Sequence, residues 1–242
     1  MLYIVSTPIG NLGDITVRAL EVLKAVDLIA AEDTRHSLRL LQRYEIRKPM
    51  VSFHEHNEAR RTQELVARLE QGAAIAVVTD AGLPGISDPG ARLVRACAEK
   101  GLAYTILPGP SAVLTALVGS GMAADAFYYG GFLPVKSGRR ERALQKAVER
   151  EESSVFFESP HRLEKTLEVM ARLAPERSLC VARELTKQFE EFRRGQAAAL
   201  RDHYAAHPPK GEITLVVAGA GERVPGTPCQ AAAESHPGPD AV

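Results

Sequence analysis

Short apolar runs alternate along the chain with stretches in which apolar positions recur every three or four residues. The runs predict buried strands and the recurrences predict amphipathic helices. In the first half the strand-like runs fall at 2–6, 28–31, 50–53, 74–79 and 103–107. The run at 74–79 is the clearest, being uncharged and rich in β-branched residues. Between the runs lie five helical stretches. The first runs from Asp14, taken as its N-cap, to Val26, with Val17, Leu20 and Leu23 on one face. The others are 35–44, a helix capped by Asn57 that carries Leu65, Val66 and Leu69, then 89–100 and 110–119. Such alternation implies right-handed crossovers and a mainly parallel sheet covered on both faces.

Near 119–131 the pattern breaks among several glycines, which places a domain boundary close to residue 120. The alternation then restarts, with helices at 138–150, 160–173 and about 196–206, and strands at 153–157, 179–183 and 212–218. Pro160 suits the first turn of its helix. After Gly219 the prolines 225, 228, 237 and 239 stand among Gly, Ala and Ser with no aromatic residue. That composition buries too little apolar surface to order itself. The expected organisation is therefore a domain over 1–120, a second over 121–220 and a disordered tail over 221–242.

Composition narrows the class without naming it. Of 242 residues, 45% are hydrophobic and 25% charged, the ordinary globular mixture, which excludes a wholly disordered chain, a fibre or a small disulfide scaffold. Lys plus Arg equals Asp plus Glu at 30 each, so a nucleic-acid partner must be held by local basic patches rather than a bulk field. Cys97, Cys180 and Cys229 lie far apart with no zinc spacing, so no metal is expected and reduced cytoplasmic thiols are. The start lacks the basic region of a signal peptide, and no apolar run reaches the ~20 residues of a membrane span.

Candidate chemistry concentrates in three Gly/Pro-rich loops that follow strands. They are residues 6–11 (STPIGN), 79–90 (TDAGLPGISDPG) and 108–112 (PGPSA). Open α/β sheets bind ligands beyond the carboxyl ends of their strands. Glycine lets backbone groups approach a ligand and proline holds a loop in shape. Asp80 and Asp88 add carboxylates for hydroxyl or ammonium groups. One such loop alone reads as a tight turn; three at one sheet edge read as a pocket. There is no GxxxxGK[ST] and no GxGxxG after the first strand, which leaves a small zwitterionic or nucleoside ligand with little phosphate.

The segments at 6–12 (STPIGNL), 31–37 (AEDTRHS), 79–90, 108–112, 131–134 (GFLP), 157–162 (FESPHR), 182–187 (ARELTK) and 210–214 (KGEIT) together resemble the ribosomal RNA small-subunit methyltransferase I family of the tetrapyrrole methylases. They stand in family order over nearly the whole expected ordered chain. The resemblance implies two α/β/α domains of the tetrapyrrole-methylase type, with S-adenosylmethionine in the cleft between them, and a homodimer. It implies 2′-O-methylation of a cytidine ribose in the decoding region of small-subunit rRNA, with that rRNA or the 30S subunit as partner, in the cytoplasm. By the same resemblance Pro8, Ile9, Gly10, Asp80, Ala81, Gly82, Pro84, Ser111 and Ala112 line the cofactor pocket, and Glu158 and Leu185 lie in second-domain segments that close on it. The sequence departs from many relatives in lacking a helical, lysine-containing segment after the last strand.

A ribose hydroxyl is a poor nucleophile at neutral pH, so a base or a nearby cation would help. Asp33, His36, Asp88, Glu158, Glu184 and Lys187 are candidates, and Asp33, Arg35 and Lys187 are the preferred set. A desolvated lysine near a sulfonium would have a lowered pKa and could accept the proton. The plainer reading of each acid is a helix cap or surface ion pair, Asp88 before Pro89 included. His161 reads as structural or a phosphate contact, and His54 and His56 as loop residues. For RNA, Arg35, Arg39 and Arg43 share one helix face, and Arg139 and Arg140 head a second basic cluster with Lys136, Arg142, Lys146 and Arg150. Two other readings of the chain are a C-methylase of a tetrapyrrole precursor and a non-catalytic RNA- or nucleotide-binding module.

Overall fold

The computed structural model describes residues 1–222. Cys229 and nearly all of the expected disordered tail lie outside the described residues. The chain forms two compact units, Met1–Ala112 and Val113 onward. The division falls at the start of the helix expected to close the first domain.

The first unit contains β1 (Leu2–Val5), α1 (Val17–Ala25), β2 (Leu28–Ala31), α2 (Thr34–Arg43), β3 (Met50–Ser52), α3 (Glu58–Glu70), β4 (Ile75–Val78), α4 (Ala91–Glu99) and β5 (Tyr104–Leu107). Its sheet has the order β3-β2-β4-β1-β5 and every pair is parallel. Successive strand residues face opposite sides, and each side receives two helices. Leu23 of α1 and Leu40 and Leu41 of α2 pack with Val5, Ile29 and Val78. Leu65 and Leu69 of α3 and Leu93 of α4 pack with Ile4, Ala30 and Val77. The helices change face where the chain reverses its march across the sheet, as right-handed crossovers require. That reversal makes the carboxyl ends of the central strands a topological switch point, where such sheets bind ligands.

Some local expectations are corrected. Asp14 does not cap α1; it ends a 3-10 turn over Leu12–Asp14, and Thr16 accepts from Ala19 N at 3.1 Å. Val17, expected on the buried face, is 74% exposed. Asn57 occupies the N-cap position of α3 without a capping bond, its side chain being engaged with His54 N and Ser52. The cap position of α4 is Gly90, not Asp88.

The second unit opens with α5 (Ala112–Ser120) and continues through β6 (Phe127–Phe132), α6 (Ser137–Glu149), β7 (Ser153–Glu158), α7 (Pro160–Leu173), β8 (Ser178–Arg183), β9 (Glu191–Gln196), α8 (Ala197–Ala206) and β10 (Ile213–Val217). Its sheet order is β6-β7-β10-β8-β9. Only β6 and β7 run parallel; the other three pairs are antiparallel, unlike the first sheet. Ile213, Leu215 and Val217 of the central β10 join Leu163 and Leu167 of α7 and Leu200 and Tyr204 of α8 in one core. Arg194 of β9 donates to the carbonyls of Gly119 and Ser120, satisfying the last turn of α5 with a cation where the helix dipole favours one.

Two strands were not legible as such. In β9, Phe192 stands among Glu191, Arg193 and Arg194, the pattern of a charged edge rather than a buried strand. In β6 the Gly130-Gly131 pair reads as a break, yet it forms a β-bulge: the pairing shifts between Tyr129 and Phe132. Gly131 takes φ +67°, a left-handed conformation that a side chain would strain.

Candidate functional site

Because the first sheet is parallel, its five strands deliver the loops that follow them to one edge, and those after β1, β4 and β5 hold the Gly/Pro-rich segments. These three are tied together by hydrogen bonds. Thr7 and Gly82 exchange backbone bonds of 2.9 and 3.1 Å, and Thr7 Oγ1 donates to the Thr79 carbonyl at 3.0 Å. Ser6 Oγ donates to the Pro110 carbonyl at 2.9 Å. The loop after β5 comes so close to the loop after β1 that a Cβ on Gly109 would stand 2.8 Å from Ser6 Cβ. Pro8, Ile9, Gly82 and Pro84 are buried, Ser111 and Ala112 half-buried, and Gly10 and Ala81 exposed.

The loop after β2 joins through carboxylates. Asp80 Oδ1 accepts from Asp33 N and Glu32 Oε2 accepts from Asp80 N, both at 3.2 Å. Glu32 has its pKa raised, first by burial and then by the charges of Asp80 and Asp33, against a hydrogen bond from the Asp80 amide. Asp88 is pushed up to about 7, mainly by burial and then by Glu32 and Asp80. Asp33 differs: as N-cap of α2 it accepts from Arg35 N at 2.8 Å, which holds its carboxyl below the ordinary range. The Arg35 side chain is 92% exposed and 3.5 Å from the Asp33 carboxylate. Sequence reasoning singled out the segments that hold Glu32, Thr7 and Thr79 but gave these three residues no role. The signal for Glu32 and Thr79 was a polar residue immediately following an apolar strand, and Thr7 comes one place later, after Ser6.

The donor set suits S-adenosylmethionine. Thr79 Oγ1 is buried with no partner among the described residues. Three carboxylates suit a cationic ligand, and the close-packed Gly/Pro loops bring backbone groups to the same edge. No lysine or arginine was found in the loops after β1, β4 and β5 to cradle a phosphate.

In the second unit the segment after β8 is strained. Glu184 (φ +50°) and Thr186 (φ +63°) flank the buried Leu185 in left-handed conformations, each costing about 1–3 kcal/mol. With Ser87 (φ +64°), three of the four described non-glycine residues at positive φ lie in two loops singled out from the sequence. Lys187 Nζ donates to Glu184 and Glu212 at 2.8 Å each. Burial pulls its pKa down, but those carboxylates outweigh it and the net shift is upward. Lys187 is therefore held protonated, and the expectation that it acts as a base is withdrawn.

Glu158 has a fully buried side chain whose oxygens accept from Ser159 N, Arg162 and Thr166. Its carboxylate fastens the start of α7 and is not a free base. Arg140, expected to contact RNA, is 5% exposed and donates to the Val135 carbonyl, so that role is withdrawn too. Arg139, Arg39 and Arg43 are exposed. Among the described residues no His, Cys, Asp or Glu cluster could hold a metal, and no helix is long and apolar enough to cross a membrane. Burial pushes the Cys180 thiol up to about 12 and raises Cys97 as well, so neither is a nucleophile.

A family model described as tetrapyrrole (corrin/porphyrin) methylases matches residues 1–201. A Synechocystis sp. protein named ribosomal RNA small subunit methyltransferase I is 51% identical over 91% of this chain and 79% of its own. A Thermotoga maritima protein of the same name is 46% identical over 90% of this chain and 98% of its own. The latter leaves almost no room for a segment beyond the match, so a relative of that name exists without a long extension. A solved diphthine synthase superposes with a TM-score of 0.65 at 13% identity, covering 90% of this chain and 89% of that one. A uroporphyrin-III-C-methyltransferase from Thermus thermophilus gives 0.62 at 21% identity, covering 90% and 93%. At those identities the two structures speak for the fold alone.

Proposed function

We propose that this chain, which belongs to the ribosomal RNA small subunit methyltransferase I family of the tetrapyrrole methylases, transfers a methyl group from S-adenosylmethionine to the ribose 2′-oxygen of a cytidine in the decoding region of small-subunit rRNA. The observation that carries the reading is the locked edge of the first sheet, where Thr7–Gly82, Ser6–Pro110 and Asp33–Asp80 bonds draw four loops together. The relatives' names favour RNA over a tetrapyrrole precursor, and the shared fold favours neither.

When bound, the cofactor supplies an electrophilic methyl on a sulfonium cation. The backbone groups of residues 6–10, 80–84 and 109–112 would hold its uncharged parts, and Glu32 and Asp80 would answer its positive charge. Asp88 accepts the hydroxyl proton, because a carboxyl with a pKa near 7 is a better base at neutral pH than an ordinary one. Asp33, ionised and fixed as a cap, orients Arg35, whose exposed guanidinium meets the RNA backbone. The left-handed backbone and paired Lys187 hold Leu185 in place.

Calorimetry is expected to give binding of S-adenosylmethionine and its demethylated product, with neither NAD nor ATP binding at similar concentration. Incubation with 30S subunits and labelled cofactor then places the label on a ribose. Tighter binding of ATP or NAD, or label on a base or a porphyrinoid, overturns the reading.

Phosphate contacts come from the exposed stripe on α2. Each one releases condensed counterions, so binding weakens with salt. The Arg39→Ala/Arg43→Ala variant is expected to lower RNA affinity at low salt and to reduce the salt slope by about 1–2, leaving cofactor binding unchanged. Filter binding over a salt series measures both. An unchanged slope would make the stripe a solvated helix face.

A further inference from the structure

We propose that β6 and the start of α6 form a platform on which an unpaired base of the RNA substrate stacks, with Phe132 as the stacking ring. The proposal rests on the RNA-methylation reading and extends it from phosphates to bases.

The bulge is what creates the platform. The shift in pairing at Gly130-Gly131 sets Phe132 opposite Phe157. The two rings meet edge to face, 5.2 Å between centroids, and Tyr129 meets Phe157 likewise at 5.5 Å. Phe157 thus props Phe132 from one side while 61% of Phe132 remains exposed. Val135, three residues on, is 74% exposed, and Phe127 and Tyr128 are each 38% exposed on the same strand. β6 is also the edge of its sheet. An edge with this much exposed aromatic surface is a standing invitation to association, so its occupant has to be argued.

Charge favours a polyanion. In a chain of zero formal charge, residues 126–150 hold five basic side chains besides the buried Arg140, against Glu141 and Glu149, and one of the five, Arg150, is paired with Glu152 at 2.6 Å. Lys136, Arg139, Arg142 and Lys146 have no acidic partner among the described residues, whereas Glu141 is drawn to Arg172 at 2.9 Å. Arg150 lies over the Tyr128 ring at 3.8 Å. A second copy of the chain meeting this edge about a two-fold axis would set the same basic segment against itself. A single-stranded nucleic acid answers both halves of the surface, with bases on the rings and phosphates on the helix. The geometry also fits the chemistry, since a ribose hydroxyl is reached more readily when its nucleotide is drawn out of a stack.

The chain contains no tryptophan, which makes a clean test possible. Phe132→Ala is expected to weaken binding of a short single-stranded RNA about tenfold, and Phe132→Tyr to retain it. An abasic ribose-phosphate oligomer of equal length should bind parent and variants alike. In the Phe132→Trp variant the sole tryptophan should be quenched by the RNA and left unchanged by the abasic oligomer. The platform is overturned if Phe132→Ala binds RNA as the parent does, or if the abasic oligomer quenches equally. It is overturned in favour of a contact between copies if the fluorescence shifts with protein concentration before RNA is added. Methyl transfer to 30S subunits by the parent, assayed alongside, separates failure of the platform from failure of the RNA-methylation reading.

Discussion

Asp88→Asn is expected to slow single-turnover methyl transfer at about pH 8 by roughly 10²-fold or more, the range a positioned base contributes. It should also abolish a rise in rate that the parent shows through neutral pH. Both follow from the position of Asp88 on the 79–90 loop, where burial first, and Glu32 and Asp80 second, push its pKa up to about 7. Asparagine keeps the size and the polarity and removes the proton site. Stability moves the other way. Below the ordinary aspartate value of 3.8 the carboxyl is protonated whether the chain is folded or not, and it has no pH-linked effect. Above about 7 it is ionised in both, and the folded state bears the whole cost of charging a half-buried group. Between the two the parent loses stability as pH rises. The variant should therefore gain in melting temperature over the parent at about pH 8 and little at about pH 4. A variant that loses only cofactor affinity, with the pH–rate profile of the parent intact, would remove Asp88 from the role of base.

Gly109→Ala is expected to weaken S-adenosylmethionine binding on the order of 10²-fold, the scale of a displacement near 1 Å at a reacting site. The added carbon would stand 2.8 Å from Ser6 Cβ and 3.2 Å from Ser6 Oγ, so the loops after β1 and β5 must part. Parting them breaks the Ser6–Pro110 bond and disturbs the exchange between Thr7 and Gly82. The double variant Ser6→Gly/Gly109→Ala removes the obstructing carbon but also the hydroxyl bonded to Pro110, so it should recover only the part of the binding lost to the clash. Gly138→Ala is the control: it lies in the first turn of α6 and no atom lies within 4 Å of its Cβ position. Calorimetry on the four proteins decides the matter; no recovery in the double variant would place the cause elsewhere than the Ser6 contact.

The first unit was legible because its strands are apolar on both faces. Residues 28–31 and 75–78 are buried throughout, and no polar residue interrupts them. The second unit was less so, since antiparallel pairing leaves fewer marks on composition than helices alternating with buried strands. β9 holds its place by pairing along β8 rather than by burying side chains, so its charges concealed it. At the site, residue types pointed to loops that meet at one sheet edge, while partners remained unreadable. Arg140 and Arg139 are neighbours of the same type, yet one lies under Val135 and the other in solvent. Lys187 looked like a base because the sequence does not show that Glu212 comes to it. Asp88 looked like a helix cap because sequence does not show the burial that raises its pKa.

The place of β10 bears on how the protein comes into being. Among the described strands it is the last in chain order and the middle one of its sheet, bonded to β7 on one side and β8 on the other. The five strands of the first sheet are all made by Leu107, so that half can fold while synthesis continues. The second sheet stays split into the pairs β6-β7 and β8-β9 until the chain has been made through Val217. Its apolar inner strands are exposed in the interval, and truncation ahead of Ile213 should yield a folded first half attached to an aggregating second.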